Sequence, residues 1–214
     1  MTDKKTKVLI AVICILAAIC AKLYLELQDY KDLPKFLPFN NNPVFIKYAL
    51  EKDITTIGEY QQWITEVELQ QHWEREISLD PIYQKYTWEL CQMFDVDYNL
   101  ILAVMYHESR FKIDAYSKTN DIGLMQVNRG NRAWANELAG RKIDLYDPYD
   151  NILTGILIYK HYEDYWLDRG IEGEKLPKYT LNSYNMGISG FASAGYPVNR
   201  SYSRNILSTM EEMN

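Results

Sequence analysis

The sequence predicts a mainly α-helical protein that begins with a membrane helix, and three observations support this fold class. An uninterrupted apolar run covers residues 8–21, which is most of the length that a membrane-spanning helix needs. Apolar residues recur at helical spacing before Glu108. Aspartate stands directly before proline at Asp80 and at Asp147. This pair favours a helix start, because aspartate caps free backbone amides and proline suits the first turn.

Residues 1–31 are predicted to form a cytoplasmic tip and a single transmembrane segment. Lys22 interrupts the apolar run, which resumes at residues 23–25, so a span of about 20 residues requires this lysine to reach the membrane interface. Lysines precede the run, and such lysines stay in the cytoplasm, so the rest of the chain is expected outside the cell membrane. The alternative is a cleaved signal peptide followed by secretion, although the nearest cleavage pattern, at residues 18–20, is poor.

Residues 32–79 are predicted to connect the membrane segment to the rest of the chain. Three prolines and an asparagine triplet make residues 32–43 a linker. The stretch from Val44 to Leu79 is predicted to be helical. It forms either a stalk or a segment that packs on the following domain, and the sequence leaves both open.

A third unit, residues 80–214, is predicted to consist of helices joined by polar loops. The expected helices run from Pro81 to about Phe94, from Tyr98 (capped by Asp97) to Glu108, onward from near Asn151, from Tyr179 to Asn185 with a stop at Gly187, and from about Tyr202 to Met213. Residues 168–177 are predicted to be a polar loop. Glycine inside a helix costs about 1 kcal/mol relative to alanine, so Gly155 predicts close helix-on-helix packing.

Composition excludes several classes of function. The net charge of −6 argues against nucleic acid as a partner, because phosphate contacts need clustered lysine and arginine. Cys91 is the only cysteine after the apolar run, so it is expected to be a small core residue without a disulfide partner. No cysteine–histidine cluster has metal-ligand spacing, and we expect neither a metal nor a cofactor.

Glu108 is the candidate catalytic residue. It follows Ile101, Val104 and Met105 on one helical face. Burial on that face and the nearby helix C-terminus should both raise its pKa, and a carboxyl group that is protonated near neutral pH can act as a general acid. The alternative is a structural glutamate that pairs with Arg110 or points into water.

Two other catalytic motifs are excluded. A His-Glu-x-x-His zinc site would need a second histidine where Phe111 stands. A serine-hydrolase elbow around Ser189 would need glycine where Phe191 stands.

A series of short motifs extends from Glu108 toward the C-terminus. In order, they are Glu108-Ser109, Ala115-Tyr116-Ser117, Gly123-Leu124-Met125-Gln126, Asn151-Ile152 with Gly155, and Tyr184-Asn185-Met186-Gly187. With these motifs, the sequence from about Pro81 to its end resembles the lytic transglycosylases of the soluble-transglycosylase (SLT) type. That lysozyme-like family acts on bacterial peptidoglycan, so the resemblance implies a lysozyme-like helical catalytic domain over residues 80–214.

The resemblance implies a role for each matching residue. Glu108 would be catalytic. Four residues are expected to bind the substrate or to hold it near Glu108: Ser117, Gln126, Tyr184 and Asn185. Of these, Tyr184 would reach Glu108. Residues expected to support the site are Ser109, Gly123, Met125 and Asn151. Met125 and Tyr184 could instead be ordinary core residues, and the role of Asn128 is left open.

The implied reaction is cleavage of the MurNAc–GlcNAc bond of glycan strands, with formation of 1,6-anhydroMurNAc. Glycosidases usually use two carboxylates, but the motifs supply only Glu108, since Asp114 and Asp121 match no catalytic position of the family. One carboxyl group suffices if the MurNAc 6-hydroxyl is the nucleophile. The alternatives are a hydrolytic muramidase and a non-catalytic wall-binding protein, and a role in secretion, conjugation or other cell-wall machinery is compatible with each.

Overall fold

The computed structural model describes residues 52, 54, 56–70 and 73–213. In this part of the chain the helices are α1 (Ile57–Gln70), α2 (Pro81–Phe94), α3 (Tyr98–Ser109), α4 (Arg132–Ala139), α5 (Pro148–Leu167), α6 (Lys175–Ser193) and α7 (Ser201–Glu212). A two-stranded antiparallel hairpin, β1 (Asp121–Ile122) and β2 (Val127–Asn128), lies between α3 and a short 3-10 turn, Arg129–Asn131. The predicted mainly α fold class is confirmed.

The predicted membrane segment, residues 1–31, and the linker, residues 32–43, lie outside the described residues. Among the residues that the structure describes, no helix is long and apolar enough to cross a membrane. The three-part division of the chain stays a prediction.

The segment predicted to be helical from Val44 to Leu79 is helical only over α1 within the described residues, and residues 73–80 form bends and coil. The backbone of this second part bonds to a side chain of α2 instead of continuing a helix. Gln84 accepts a hydrogen bond from Arg75 N (2.8 Å) and donates one to the Leu79 carbonyl (2.8 Å). In α1, Tyr60 and Ile64 are buried in the same core as the later helices, so α1 packs on the domain.

Helices α2 and α3 begin where the sequence predicts. The Asp80 carboxylate accepts from Ile82 N, and the Asp97 carboxylate accepts from Leu100 N. Helix α3 ends one residue later than predicted, and Arg110 then adopts a left-handed conformation (φ 56°). The middle of α3 is enclosed on all sides, since residues 101–105 are fully buried. Helix α3 is therefore the central element of the domain.

The later helices differ from prediction mainly at their ends. Helix α5 starts at Pro148 instead of Asn151, because Asp147 caps its first turn through Tyr149 N and Asp150 N. Helix α6 starts at Lys175, inside the predicted polar loop. Its Pro177 stands in the first turn, where a missing amide proton has no cost. Helix α7 agrees with prediction to within one residue at each end.

Gly187 interrupts α6, as predicted, but does not end it. Its backbone (φ 70°, ψ 160°) is non-helical, and helical structure resumes as far as Ser193. A positive φ is accessible to glycine at little cost. The kink therefore falls at the last residue of the Tyr184-Asn185-Met186-Gly187 motif.

Candidate active site

A cavity of about 420 Å³ lies at the C-terminal end of α3. Its lining residues come from α3, the hairpin, the 3-10 turn, α5 and α6: Glu108, Asp121, Gln126, Val127, Asn128, Asn131, Ile158, Tyr162, Tyr184, Asn185, Met186 and Gly187. Of the predicted site residues, Glu108, Gln126, Tyr184 and Asn185 therefore line one cavity. Ser117 and the predicted supporting residues do not line it.

Glu108 has the electrostatic character expected of a general acid. Its side chain is partly buried, and its pKa is raised from 4.5 to about 7. Burial is the main cause, a hydrogen bond from Tyr202 opposes it, and the negative charge of Asp121 adds to the increase. The raised pKa predicted from the sequence is confirmed, and Glu108 exchanges a proton within the neutral range.

Tyr202, and not Tyr184, makes the hydrogen bond to Glu108. The Tyr202 hydroxyl, at the start of α7, donates to Oε1 of Glu108. Tyr184 instead donates to the backbone carbonyl of Met125 (2.8 Å). The hydroxyl of Tyr184 thus bonds to the hairpin turn, and the residue also lines the same cavity as Glu108. The charge of Glu108 acts on Tyr184, and that Tyr184 reaches Glu108 stays a prediction.

Tyr202 was not predicted as a site residue because it lies outside the motif series. It is the second residue of a short amphipathic helix, where an aromatic residue is usually packing. The helix that carries Tyr202 packs against α3. That contact depends on the tertiary structure and has no signal in the sequence.

The side chain of Asn151 holds the turn of the hairpin by hydrogen bonds. This side chain is fully buried. It accepts from Met125 N (2.9 Å) and donates to the carbonyls of Ile122 (2.8 Å) and Leu145 (3.0 Å). A Cβ atom at Gly123 (φ 74°) would lie 2.6 Å from Asn151, so glycine is required where the turn crosses α5. This contact explains why Gly123 and Asn151 occur together in the motif series.

Gly155 also makes a close approach, but not the one predicted. A Cβ atom there would lie 2.5 Å from the Cβ and Cγ atoms of Met125, whose side chain is fully buried. The missing side chain accommodates the hairpin turn and not a second helix. Met125 thus packs beneath the cavity floor and also places the neighbouring Gln126 in its wall.

The conformation of Gln126 is fixed by the hairpin. Its backbone has a positive φ of 46°. Its side-chain nitrogen donates to the carbonyls of Gly123 (2.9 Å) and Ala115 (3.3 Å). Because the amide protons are used in this way, the carbonyl oxygen is the part of the side chain that is available to accept a hydrogen bond from a ligand.

Ser117 is linked to the cavity through Asp121. Its hydroxyl donates to Oδ2 of Asp121 (2.7 Å), Thr119 donates to the same oxygen, and Asn128 donates to Oδ1 (2.7 Å). Burial by itself would raise the pKa of Asp121, but these hydrogen bonds outweigh it and lower the pKa. Asp121 matches no catalytic position of the family, yet the pairing of β1 with β2 brings it into the cavity that Glu108 also lines.

The remaining predicted residues have distinct positions. Ser109 is buried and donates to the Met105 carbonyl (3.0 Å) one turn back in α3, so it supports the helix end and not the cavity wall. Asn185 is exposed and lines the cavity. Cys91 is buried in the core as predicted.

No group of three or more histidine, cysteine, aspartate or glutamate residues could hold a metal ion within the ranges that the structure describes. His107, next to Glu108 in sequence, forms a hydrogen bond with Thr209 of α7 (2.9 Å). The histidine and the glutamate therefore have different partners.

The sequence model of the transglycosylase SLT domain matches residues 86–201, which is more than half of the chain and includes every residue that lines the cavity. The chain belongs to the SLT transglycosylase family. This finding confirms the family resemblance of the motif series, and the SLT match also covers most of the helical domain described above.

Curated relatives of this SLT domain carry consistent names. The chain is 30% identical over 144 residues to membrane-bound lytic murein transglycosylase F of Pectobacterium atrosepticum, covering 67% of this chain and 27% of that protein. It is 28% identical over 175 residues to the F protein of Haemophilus influenzae, covering 80% and 34%. It is 31% identical over 123 residues to membrane-bound lytic murein transglycosylase C of Shigella sonnei, covering 55% and 34%. The chain thus spans about a third or less of the length of these relatives.

Proposed function

We propose that this protein is a peptidoglycan lytic transglycosylase that cleaves the β-1,4 bond between MurNAc and GlcNAc and forms a 1,6-anhydroMurNAc end. The observation that carries the proposal is the environment of Glu108, a carboxyl group with a pKa of about 7 in one cavity with Gln126, Tyr184 and Asn185. Membership of the SLT family and the names of the relatives support the same reaction.

In the first step, protonated Glu108 gives its proton to the oxygen of the glycosidic bond. The bond between that oxygen and the anomeric carbon of MurNAc breaks, and positive charge develops on the sugar ring, as in glycoside hydrolysis generally. A pKa near 7 suits this step because a useful fraction of Glu108 is protonated at neutral pH. Tyr202 holds Oε1 of Glu108 during the transfer.

In the second step, the Glu108 carboxylate takes a proton from the 6-hydroxyl of MurNAc. The oxygen of that hydroxyl forms a bond to the anomeric carbon, which closes the 1,6-anhydro ring and returns Glu108 to its protonated state. No water is consumed. Gln126, through its carbonyl oxygen, and Asn185, at the cavity edge, are the groups that would hold the sugars by hydrogen bonds.

A hydrolytic muramidase is the second candidate function, and one observation favours it. Asp121 lines the same cavity as Glu108, and many glycosidases use two carboxylates. In that reaction a water molecule, and not the 6-hydroxyl, would attack the anomeric carbon, and the product would have a reducing end. The two functions therefore differ in a product that can be weighed.

We further propose that the transmembrane segment within residues 1–31 anchors the protein in the cell membrane with the catalytic domain outside the cytoplasm. The apolar run and the lysines before it support this arrangement, and the relatives are named membrane-bound. An anchored enzyme would act on glycan strands close to the membrane, which suits a role in secretion, conjugation or other cell-wall machinery.

The test is the Glu108→Gln variant, assayed for release of soluble muropeptides from purified sacculi. Glutamine keeps the shape of the side chain but cannot give up a proton as the acid does, so release should fall by at least about 100-fold. Glu137→Gln, an exposed position on α4, is the matched control and should retain full activity. Substantial cleavage by a folded Glu108→Gln protein would refute the assigned acid.

A further inference from the structure

Asp121 places a second carboxyl group in the cavity. It is the first residue of β1, and its cross-strand partner in β2 is Asn128, which also lines the cavity. Burial is the main cause of the raised pKa of Glu108, and the charge of Asp121 is a smaller contribution in the same direction. The two carboxyl groups therefore line the same cavity although they belong to different elements.

The two carboxyl groups have opposite environments. Both oxygens of Asp121 accept hydrogen bonds, Oδ2 from Ser117 and Thr119 and Oδ1 from Asn128, and donors of this kind favour the ionised form. The pKa of Glu108 is set mainly by burial, which favours the protonated form. A pair of carboxyl groups with divergent pKa values is a common arrangement for an acid and a charge-stabilising partner in glycoside cleavage.

We propose that Asp121 is a second acidic residue of the reaction, whose carboxylate stabilises the positive charge on the sugar ring while Glu108 protonates the leaving oxygen. The inference rests on the proposed function, since it assigns a further role at the same site. Asp121 gains and loses no bond and no proton. All proton transfers run between Glu108 and the two sugar oxygens, as described above.

The physical reason for this role is the positive charge that develops on the sugar ring during the reaction. An oxocarbenium-like transition state carries positive charge that the ground state lacks. A carboxylate fixed in advance by three donors stabilises that charge without reorganising during the reaction. Because the interaction strengthens only in the transition state, it should act on kcat and not on KM.

Asp121 also has a structural role, since its carboxylate oxygens accept hydrogen bonds from Ser117, Thr119 and Asn128 and so link residues 117–128. Three variants separate charge from loop structure. Asp121→Asn removes the charge. Thr119→Val removes one donor to Asp121 and keeps the charge. Asp114→Asn removes the same charge from an exposed position outside the cavity lining.

The experiment measures kcat and KM for a soluble, uncrosslinked glycan strand with the wild-type protein and each variant, and compares their melting curves. We expect Asp121→Asn to lower kcat on the order of 100-fold with little change in KM. Asp114→Asn should stay close to the wild type, and Thr119→Val, which keeps the charge but loses one of the three donors that fix it, should lose much less kcat than Asp121→Asn. Asp121→Glu, which keeps the charge on a longer side chain, should retain more activity than Asp121→Asn.

Three results would overturn the inference: wild-type kcat in Asp121→Asn, an equally large loss of kcat in Thr119→Val, or an equal loss in Asp121→Asn and Asp121→Glu. The last two would assign Asp121 to loop structure. If the wild type fails to cleave the strand, or Glu108→Gln cleaves it normally, the proposed function itself fails. If the wild type cleaves, Glu108→Gln does not and Asp121→Asn is fully active, only the role of Asp121 is wrong.

Discussion

The hydroxyl of Tyr202 donates a hydrogen bond to Oε1 of Glu108 across 94 positions of the sequence. The bond links the start of α7 to the end of α3, so the terminal helix completes the environment of the acid. Burial raises the pKa of Tyr202, which keeps its hydroxyl protonated and able to donate. Burial and the charge of Asp121 thus raise the pKa of Glu108, and the hydrogen bond from Tyr202 lowers it.

The Tyr202→Phe variant should move the pH profile of kcat. The hydrogen bond from Tyr202 lowers the pKa of Glu108, so its loss should raise that pKa and shift the basic limb of the profile to higher pH. We also expect kcat to fall on the order of tenfold because the acid loses the contact that orients it. Activity measured across the neutral range checks both effects.

Tyr98→Phe is the matched control for Tyr202→Phe. Tyr98 lies at the other end of α3, and its buried hydroxyl has no hydrogen-bond partner among the residues that the structure describes. Its removal should leave the pH profile in place. A basic limb that stays fixed, or moves to lower pH, in Tyr202→Phe would contradict the assigned contact.

Glu108 should make the stability of the protein depend on pH. Its pKa is raised from 4.5 to about 7 on folding, so the folded state binds the proton more tightly than the unfolded state. The stability from this proton is fully present below pH 4.5 and is lost as pH rises through about 7. Glutamine does not titrate, so its side chain adds no such pH dependence. Over that range, the free energy of unfolding of Glu108→Gln should therefore rise by up to about 3 kcal/mol relative to that of the wild type.

Urea unfolding of both proteins at about pH 4 and about pH 8 measures this difference. The expected outcome is that the gap between Glu108→Gln and the wild type widens with pH in favour of the variant. A gap that is the same at both pH values would show that Glu108 has an ordinary pKa in the folded protein.

Gly155→Ala should destabilise the domain by about 1–3 kcal/mol, the usual cost of overpacking a core. The new methyl group would lie 2.5 Å from Met125, whose backbone contacts both Asn151 and Tyr184. Displacement of Met125 should therefore also reduce activity through Gln126. Thermal melting and muropeptide release check the two parts.

Gly190→Ala is the control for this substitution. It also lies in a helix, but its nearest neighbour would be Met186 Cβ at 3.4 Å, close to ordinary contact. It should be neutral or stabilise by up to about 1 kcal/mol, since alanine favours a helix more than glycine does. Equal melting temperatures for Gly155→Ala and the wild type would contradict the packing described for Met125.

Local features of the fold could be predicted from the sequence. Asp80 and Asp97 cap the helices that they were expected to cap, because capping depends on a few adjacent residues. Gly187 was correctly placed at a break, since its positive φ is a local property. The start of α6 was missed because the first-turn position of Pro177 depends on a helix register that no short window shows. The coil at residues 73–80 was missed because its backbone bonds to the side chain of Gln84 in α2, a contact between separate segments.

The site was predicted only as far as the motif series reaches. Glu108 and Gln126 were found because their neighbours form recognisable motifs. Tyr202 and Asp121 were not, since one acts from a distant helix and the other reaches the cavity through two-residue strands that give no periodic signal. Gly155 shows the same limit, because the need for a small residue was evident and its partner, Met125, was not.

The most direct test of the account is the mass of the glycan ends that the full-length protein releases from purified sacculi. If Glu108 returns a proton from the MurNAc 6-hydroxyl as proposed, mass spectrometry should find 1,6-anhydroMurNAc ends with the wild type and none with Glu108→Gln. Ends that are only reducing would contradict the lytic reaction and assign the protein to the muramidases.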